Sequence, residues 1–549
     1  MSDDSPTPRP GPVPRTGDEP ENYVVDRRKI VLGLGFGTAA LAGLRGMGGG
    51  ESILESGSPT EVAAPGDDAA AAAADGTTVT GEPEPFEAPV FDSTLRLAEG
   101  QTADVVFTGG RIIDPDTGFD RIGNVALVGG VIAEISDQPI PATRSVDATG
   151  LVVSPGFIDI LSYQPNGYGE WWKVADGVTS NIGMHGLRFD ATDFHQRWEA
   201  EGVPIHFGGA VHNSHVRNGL GFLPDDQASG AEITSISQAI AAQVQGGYLG
   251  IHAQPEYAPG VSPTELLDMG SLAAELGVPL CVHARFSDNL APGLQADATS
   301  ELVAVARETG CHVHIEHLNS TGGTGRMAEA LDEIQAATDE GLRMTSCMYP
   351  YEFWATTLRS ARFREWQEKY GITYEDLQVA GTDQRLSAAT FQEAYDANLL
   401  TAAFAIPAGD IELGFGRDFM MLGSDAILET SHNNHPRSTG CFARTLGVYV
   451  REQQIVSLEK ALAMMTIRPA NLLGLSAPAM RRKGRMQIGA DADVTIFNPN
   501  TIIDRSTIAN PAQESVGVDY VFVNGVEVRN PGGLVRTALP GTAIRSEVA

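Results

Sequence analysis

Short apolar runs recur along the middle of the chain, at 151–160, 179–184, 204–211, 248–253, 279–284, 312–318, 343–349 and 419–424. Each has the length of a strand buried on both faces. Between several of them the apolar positions fall at every third or fourth residue, which predicts helices over 263–276, 300–309 and 327–340. Strands alternating with helices predict a parallel sheet. Eight such units predict an α/β fold, a (β/α)8 TIM barrel, with its active site at the C-terminal ends of the strands. An open doubly wound sheet is the alternative, but the chain has no GxGxxG or P-loop sequence to support it.

The flanks have a different rhythm. Ala103-Asp104-Val105-Val106-Phe107 reads as a strand, and short apolar stretches punctuated by Gly and Pro follow to residue 147. Asp493-Val494-Thr495-Ile496-Phe497 reads as another. The stretch 518–526 reads as a hairpin turning at Asn524-Gly525. Neither flank is large enough to bury both its faces, so 93–150 and 483–549 are expected to pair into one small β-sandwich domain. The barrel then spans 151–351 and 418–482. Between its last two strands lies a connection too long for a plain loop, 352–417. Its Phe353, Trp354, Phe363, Trp366, Tyr370 and Tyr374 give it a core of its own. It is expected to be an insert leaning over the barrel mouth as a lid.

The first 92 residues follow neither pattern. Asp26-Arg27-Arg28-Lys29 runs into a Gly/Ala-rich apolar stretch, the layout of a twin-arginine export signal within 1–48. That apolar stretch is too short for a membrane span. Residues 49–92, rich in Ala, Asp, Pro and Thr, carry too little apolar surface to offset chain entropy and read as a disordered linker. An exported protein, periplasmic, extracellular or on the cell surface, is therefore expected, with no transmembrane span in its mature form. A formal net charge of −33 argues against a nucleic-acid partner, because a phosphate backbone is held by clustered Lys and Arg. Four cysteines without CxxC spacing, Cys281, Cys311, Cys347 and Cys441, read as buried free thiols.

Candidate chemistry sits at strand ends. His185 closes the second predicted strand, His283 the fifth, His317 the sixth and Asp425 the eighth. In a closed barrel these ends converge. A single strand-end histidine is more often an ordinary hydrogen-bonded residue. Three with an aspartate form a ligand set for catalytic zinc, which keeps one position open for water. Zinc-bound water has a pKa of roughly 7 and is a nucleophile at neutral pH. His314, an odd step from His317, points away by strand alternation. His212 and His215 reach either substrate or only their own loop. His432 and His435 lie in a polar loop before Arg437.

At these motifs the chain resembles the D-aminoacylase branch of the amidohydrolase superfamily, over about residues 103–535. The resemblance is carried by Ser154-Pro155-Gly156-Phe157-Ile158-Asp159, Asp176-Gly177-Val178-Thr179, Tyr349-Pro350-Tyr351, Gly423-Ser424-Asp425, His435-Pro436-Arg437 and Gly489-Ala490-Asp491-Ala492-Asp493. It implies a zinc-dependent hydrolase of a carbon–nitrogen amide bond, acting on small acylated amino acids, in particular N-acyl-D-amino acids. By this resemblance His185, His283, His317 and Asp425 are metal ligands for one zinc per chain. Asp425 is the general base that passes its proton to the leaving amine, and Tyr349 donates to the developing oxyanion. Arg437 holds the substrate carboxylate with its fork, and Arg285 and Asn319 line the substrate.

The chain also departs from that family. Leu161 and Tyr163 stand where the superfamily has His-x-His, so the ligands of a second, weaker site are absent. His185 replaces a cysteine, which is expected to leave the zinc site one charge more positive. Asn319 replaces a lysine. His252 and Ala253 end the fourth strand, with no lysine there to be carbamylated, which argues against the two-metal cyclic-amide enzymes. The rival readings are a non-catalytic binding protein that has kept the barrel, or a hydrolase of another amide.

Overall fold

The computed structural model describes residues 97–287, 294–430 and 435–548. The expected signal and linker, and His432, lie outside the described residues. The eight expected strands are present as Phe157–Asp159, Val178–Leu187, His206–His212, Ile251–Ala253, Leu280–Val282, Val313–Ile315, Met344–Met348 and Met420–Leu422. They are hydrogen-bonded in sequence order, every pair parallel. The helices between them carry the punctuation that their sequences call for. Pro263–Leu276 starts on the Ser262 hydroxyl, with Pro at its first turn, and ends at the left-handed Gly277. Apolar side chains, among them Ile158, Leu161, Ile182, Met184, Ala210, Leu249, Cys281, Cys347 and Met421, pack together in a buried cluster fed by successive barrel strands. All four cysteines are buried and free.

The first and last barrel strands meet through side chains as well as backbone. Asp425 N–H donates to Leu161 O at 2.6 Å, and Ser424 N–H to Asp159 Oδ1 at 2.9 Å. Lys173, on the helix Gly169–Ala175, reaches into the same seam. Its ammonium donates to Asp159 Oδ2 at 2.6 Å, Ser424 Oγ at 2.6 Å and Ala426 O at 2.5 Å. All three of its protons are thereby satisfied in a place where its side chain is 1% exposed.

The strand expected over 151–160 is in fact two. Gly156 divides it, and a Cβ there would stand 2.2 Å from Thr179 Oγ1. Val152–Pro155 pairs antiparallel with Val494–Phe497 and parallel with Ala103–Asp114, whereas Phe157–Asp159 enters the barrel. The two ends of the described chain thus join, as expected, and they do so in one nine-stranded mixed sheet. Its hairpin turns at Asn524-Gly525, both at positive φ (49° and 73°) as a tight turn between right-twisted strands requires.

Between the last two barrel strands, Trp354–Thr357, Leu377–Val379 and Leu400–Ala403 form a small antiparallel sheet. Its aromatic residues pack on one another, with Trp354 5.1 Å from Phe363 and 5.2 Å from Tyr370 between ring centroids. No described helix is long and apolar enough to cross a membrane.

Removing one partner of a buried ion pair leaves an uncompensated charge. Lys173→Met is therefore expected to cost about 3–5 kcal/mol in urea unfolding, and adding Asp159→Asn to recover part of it. A single variant as stable as the wild type would show that the seam does not depend on this pair.

Candidate active site

The strand ends bring four of the expected residues together. His185 lies within the second barrel strand, and His283 directly follows the fifth. His317 and Asp425 lie beyond the ends of the sixth and eighth, on left-handed backbone (φ 28° and 51°). Non-glycine residues hold such a conformation only where the surroundings enforce it, and such residues gather at functional sites. One ring nitrogen from each of His185, His283 and His317 lies within 4.8 Å of the others, and all three residues are buried. His283 Nδ1 and His317 Nε2 are 3.2 Å apart. Donors sharing a tetrahedral zinc with bonds of about 2.0–2.1 Å stand roughly 3.3 Å apart, so this pair fits one ion. Burial pushes the imidazole of His317 well below its usual range and lowers that of His283, leaving neutral rings, the form that ligates metal.

The sequence did not reveal three further groups around this cluster. Glu316 sits between two imidazoles, with His185 Nδ1 2.5 Å from one oxygen and His252 Nδ1 2.8 Å from the other. Burial alone would raise its pKa, but the two imidazoles hold it well below the ordinary carboxylate range. For His185, burial works downward, and the Glu316 and Asp425 carboxylates outweigh it and raise the pKa. Glu256 reaches His283 Nε2 at 2.6 Å from the loop after the fourth strand. Glu316 thus places a carboxylate on the His185 ring. His252 lies beside the candidate ligands, its ring 4.8 Å from that of His185. Gly186 makes room for it: a Cβ there would stand 2.6 Å from His252 Cδ2 and 2.9 Å from His212 Cβ.

Asp425 stands 3.7 Å from His317 Nε2 and 4.0 Å from His185 Nδ1. Its carboxylate accepts from Arg437 Nη2 at 2.7 Å and from Tyr163 OH at 3.2 Å. Burial opposes ionisation, but the Arg437 guanidinium keeps the group far below its ordinary pKa. Leu161 and Tyr163, in place of His-x-His, thus have separate uses. Leu161 packs in the barrel core, and Tyr163 holds the aspartate.

The fork of Arg437 is partly committed, contrary to the expectation of a bidentate grip on substrate. Nε and Nη2 bond Asp425, and the buried Nη1 has no hydrogen-bond partner among the described residues. Its guanidinium lies 4.3 Å above the Tyr349 ring, which puts Tyr349 beside the cluster as well. Asn319 is also near, its Nδ2 donating to Tyr349 O at 2.9 Å. Arg285 is placed differently from the expectation. Its Nε and Nη2 grip Glu301 on the following helix at 2.9–3.1 Å, and Nη1 bonds Val261 O. Its donors are spent on the barrel wall, not on the cluster. His212 packs against His252, with ring centroids 4.9 Å apart. His435 stacks on Phe353 of the insert at 4.5 Å and accepts from Arg437 N–H, pinning the insert to this loop. His314 bonds Thr345 Oγ1.

The chain is similar to several known proteins. A profile of the amidohydrolase family matches residues 417–529. N-acyl-D-glutamate deacylase of Alcaligenes xylosoxydans xylosoxydans is 30% identical, over 79% of this chain and 96% of that protein. The N-acyl-D-aspartate deacylase of the same organism is 28% identical, over 79% and 94%. The crystal structure of N-acyl-D-glutamate deacylase from Bordetella bronchiseptica, complexed with zinc and a phosphonate mimic of the tetrahedral intermediate, superposes with a TM-score of 0.71. It is 27% identical, covering 81% of this chain and all of that one.

Elemental analysis of protein purified without chelator is expected to find about one zinc per chain, lost on His283→Ala. Zinc-free protein that stays so after zinc is added would remove the metal site. About two per chain would require donors beyond these three histidines.

Proposed function

The chain belongs to the amidohydrolase family, in its D-aminoacylase and N-acyl-D-amino-acid deacylase branch, and from that premise we propose that it hydrolyses the amide bond of N-acyl-D-amino acids with one zinc ion. The observation that carries this reading is the convergence of His185, His283 and His317 beside Asp425 at one end of the barrel. Zinc bound there polarises the scissile carbonyl and makes water nucleophilic at neutral pH. The chain's own residues do the rest. Asp425, kept ionised by Arg437, accepts the proton of the attacking water and delivers it to the departing amine. Tyr349, beside Arg437, donates to the oxyanion. The free edge of Arg437, Nη1, is the donor left for the substrate carboxylate.

N-acyl-D-glutamate and N-acyl-D-aspartate are the first substrates to try, being those named for the two relatives. Asp425→Asn is expected to lower kcat on an accepted substrate by about 10²–10⁴-fold while most of the zinc stays bound. Near-normal turnover with zinc in place would sink the role given to Asp425. A wild type that binds zinc yet hydrolyses no N-acyl-D-amino acid would move the proposal to another amide.

We also propose export by the twin-arginine route, on the strength of Arg27-Arg28 and the apolar stretch that follows. Replacing both with Lys is expected to leave the folded protein in the cytoplasm on cell fractionation. Unchanged export would refute this route.

A further inference from the structure

Two of the three imidazoles are gripped by buried carboxylates, and the grips fall on opposite nitrogens. Glu316 meets His185 at Nδ1, and Glu256 meets His283 at Nε2. A carboxylate only accepts, so the nitrogen it touches carries the proton, and in the neutral ring that ligates metal the other nitrogen keeps its lone pair. For His283 that lone pair is on Nδ1, the atom that faces His317 Nε2. For His185 it is on Nε2.

Neither carboxylate is free to swing away. The second oxygen of Glu316 holds His252 Nδ1. That of Glu256 accepts from Ser287 Oγ, which lies 3.0 Å from the Tyr370 hydroxyl of the insert. At 2.5 Å Glu316 and His185 Nδ1 stand at hydrogen-bond length, inside the roughly 3.3 Å edge of a tetrahedral zinc site.

We infer that Glu316 and Glu256 are positioning residues that lock His185 and His283 in opposite tautomers, so that His185 presents Nε2 and His283 presents Nδ1 to the metal. This rests on the zinc reading above. A ring with two candidate donors needs its orientation and proton set from behind, and that is the place Glu316 occupies.

The test uses the full chain. Zinc affinity is measured by competition with a chromophoric chelator for the wild type, Glu316→Gln and Glu256→Gln. Cobalt(II) spectra of all three, and thermal unfolding of the metal-free proteins, accompany it. Each variant is expected to bind zinc about 10–100-fold more weakly and to show an altered cobalt band, without a matching loss of metal-free stability. Unchanged affinity and spectra in both variants would overturn the inference and leave the zinc site standing. A wild type that binds neither metal would overturn both. Should the variants not fold, imidazole ¹⁵N signals of the metal-free wild type decide the matter, assigned by His185→Gln and His283→Gln. A proton on Nδ1 of His185 and on Nε2 of His283 supports the lock, and any other pair of tautomers refutes it.

Discussion

A single buried ammonium holds the seam of the barrel. Lys173 bonds Asp159 from the first strand and both Ser424 and Ala426 just past the last, on either side of Asp425. A closed parallel barrel has to bring its first and last strands together, although no sequence-adjacent connection joins them. Here the closure coincides with the catalytic candidate: the residue whose N–H bonds across the seam, to Leu161 O, is Asp425 itself. The left-handed backbone of that aspartate is enforced from one side by the seam and from the other by Arg437. Position and charge at the mouth therefore depend on a contact made one layer below it.

The site above that seam is dense with buried charge. Glu316, Glu256 and Asp425 are all held as anions against the cost of burial, and cationic or imidazole partners do the holding. For Glu256 the Arg362 guanidinium of the insert is the largest favourable influence. Arg362 is itself buried and stacked 4.2 Å over Trp354. The insert is thus electrically part of the site as well as a neighbour of it. An uncompensated carboxylate at any of these places would be costly, so the charges form one mutually dependent set.

Much of the fold was legible because its signals are periodic. Eight apolar runs, the helical spacing between them and the Asn-Gly turn all repeat at the scale of one element. The split at Gly156 went unread although Ser154, Pro155 and Gly156 interrupt the apolar run between Val152–Val153 and Phe157–Ile158 with a polar residue and a Pro-Gly pair. Of the site, the strand-end positions of His185, His283, His317 and Asp425 could be read, since barrel geometry says where such ends meet. Glu316 was missed because strand alternation puts it opposite His317. That rule lapses past Ile315, where the chain turns through a positive φ. Glu256 lies 27 residues from the ring it grips, and no local pattern joins them. Arg285, expected to line the substrate, is instead captured by Glu301 on the next helix.

The division at Gly156 bears on cooperativity. One continuous segment supplies a strand to the terminal sheet and, one residue later, the first strand of the barrel. Neither sheet can come apart without pulling on a strand of the other. The two ends of the described chain and the barrel between them are therefore one cooperative folding unit, and a barrel trimmed of either end would lose the neighbour that aligns its first strand.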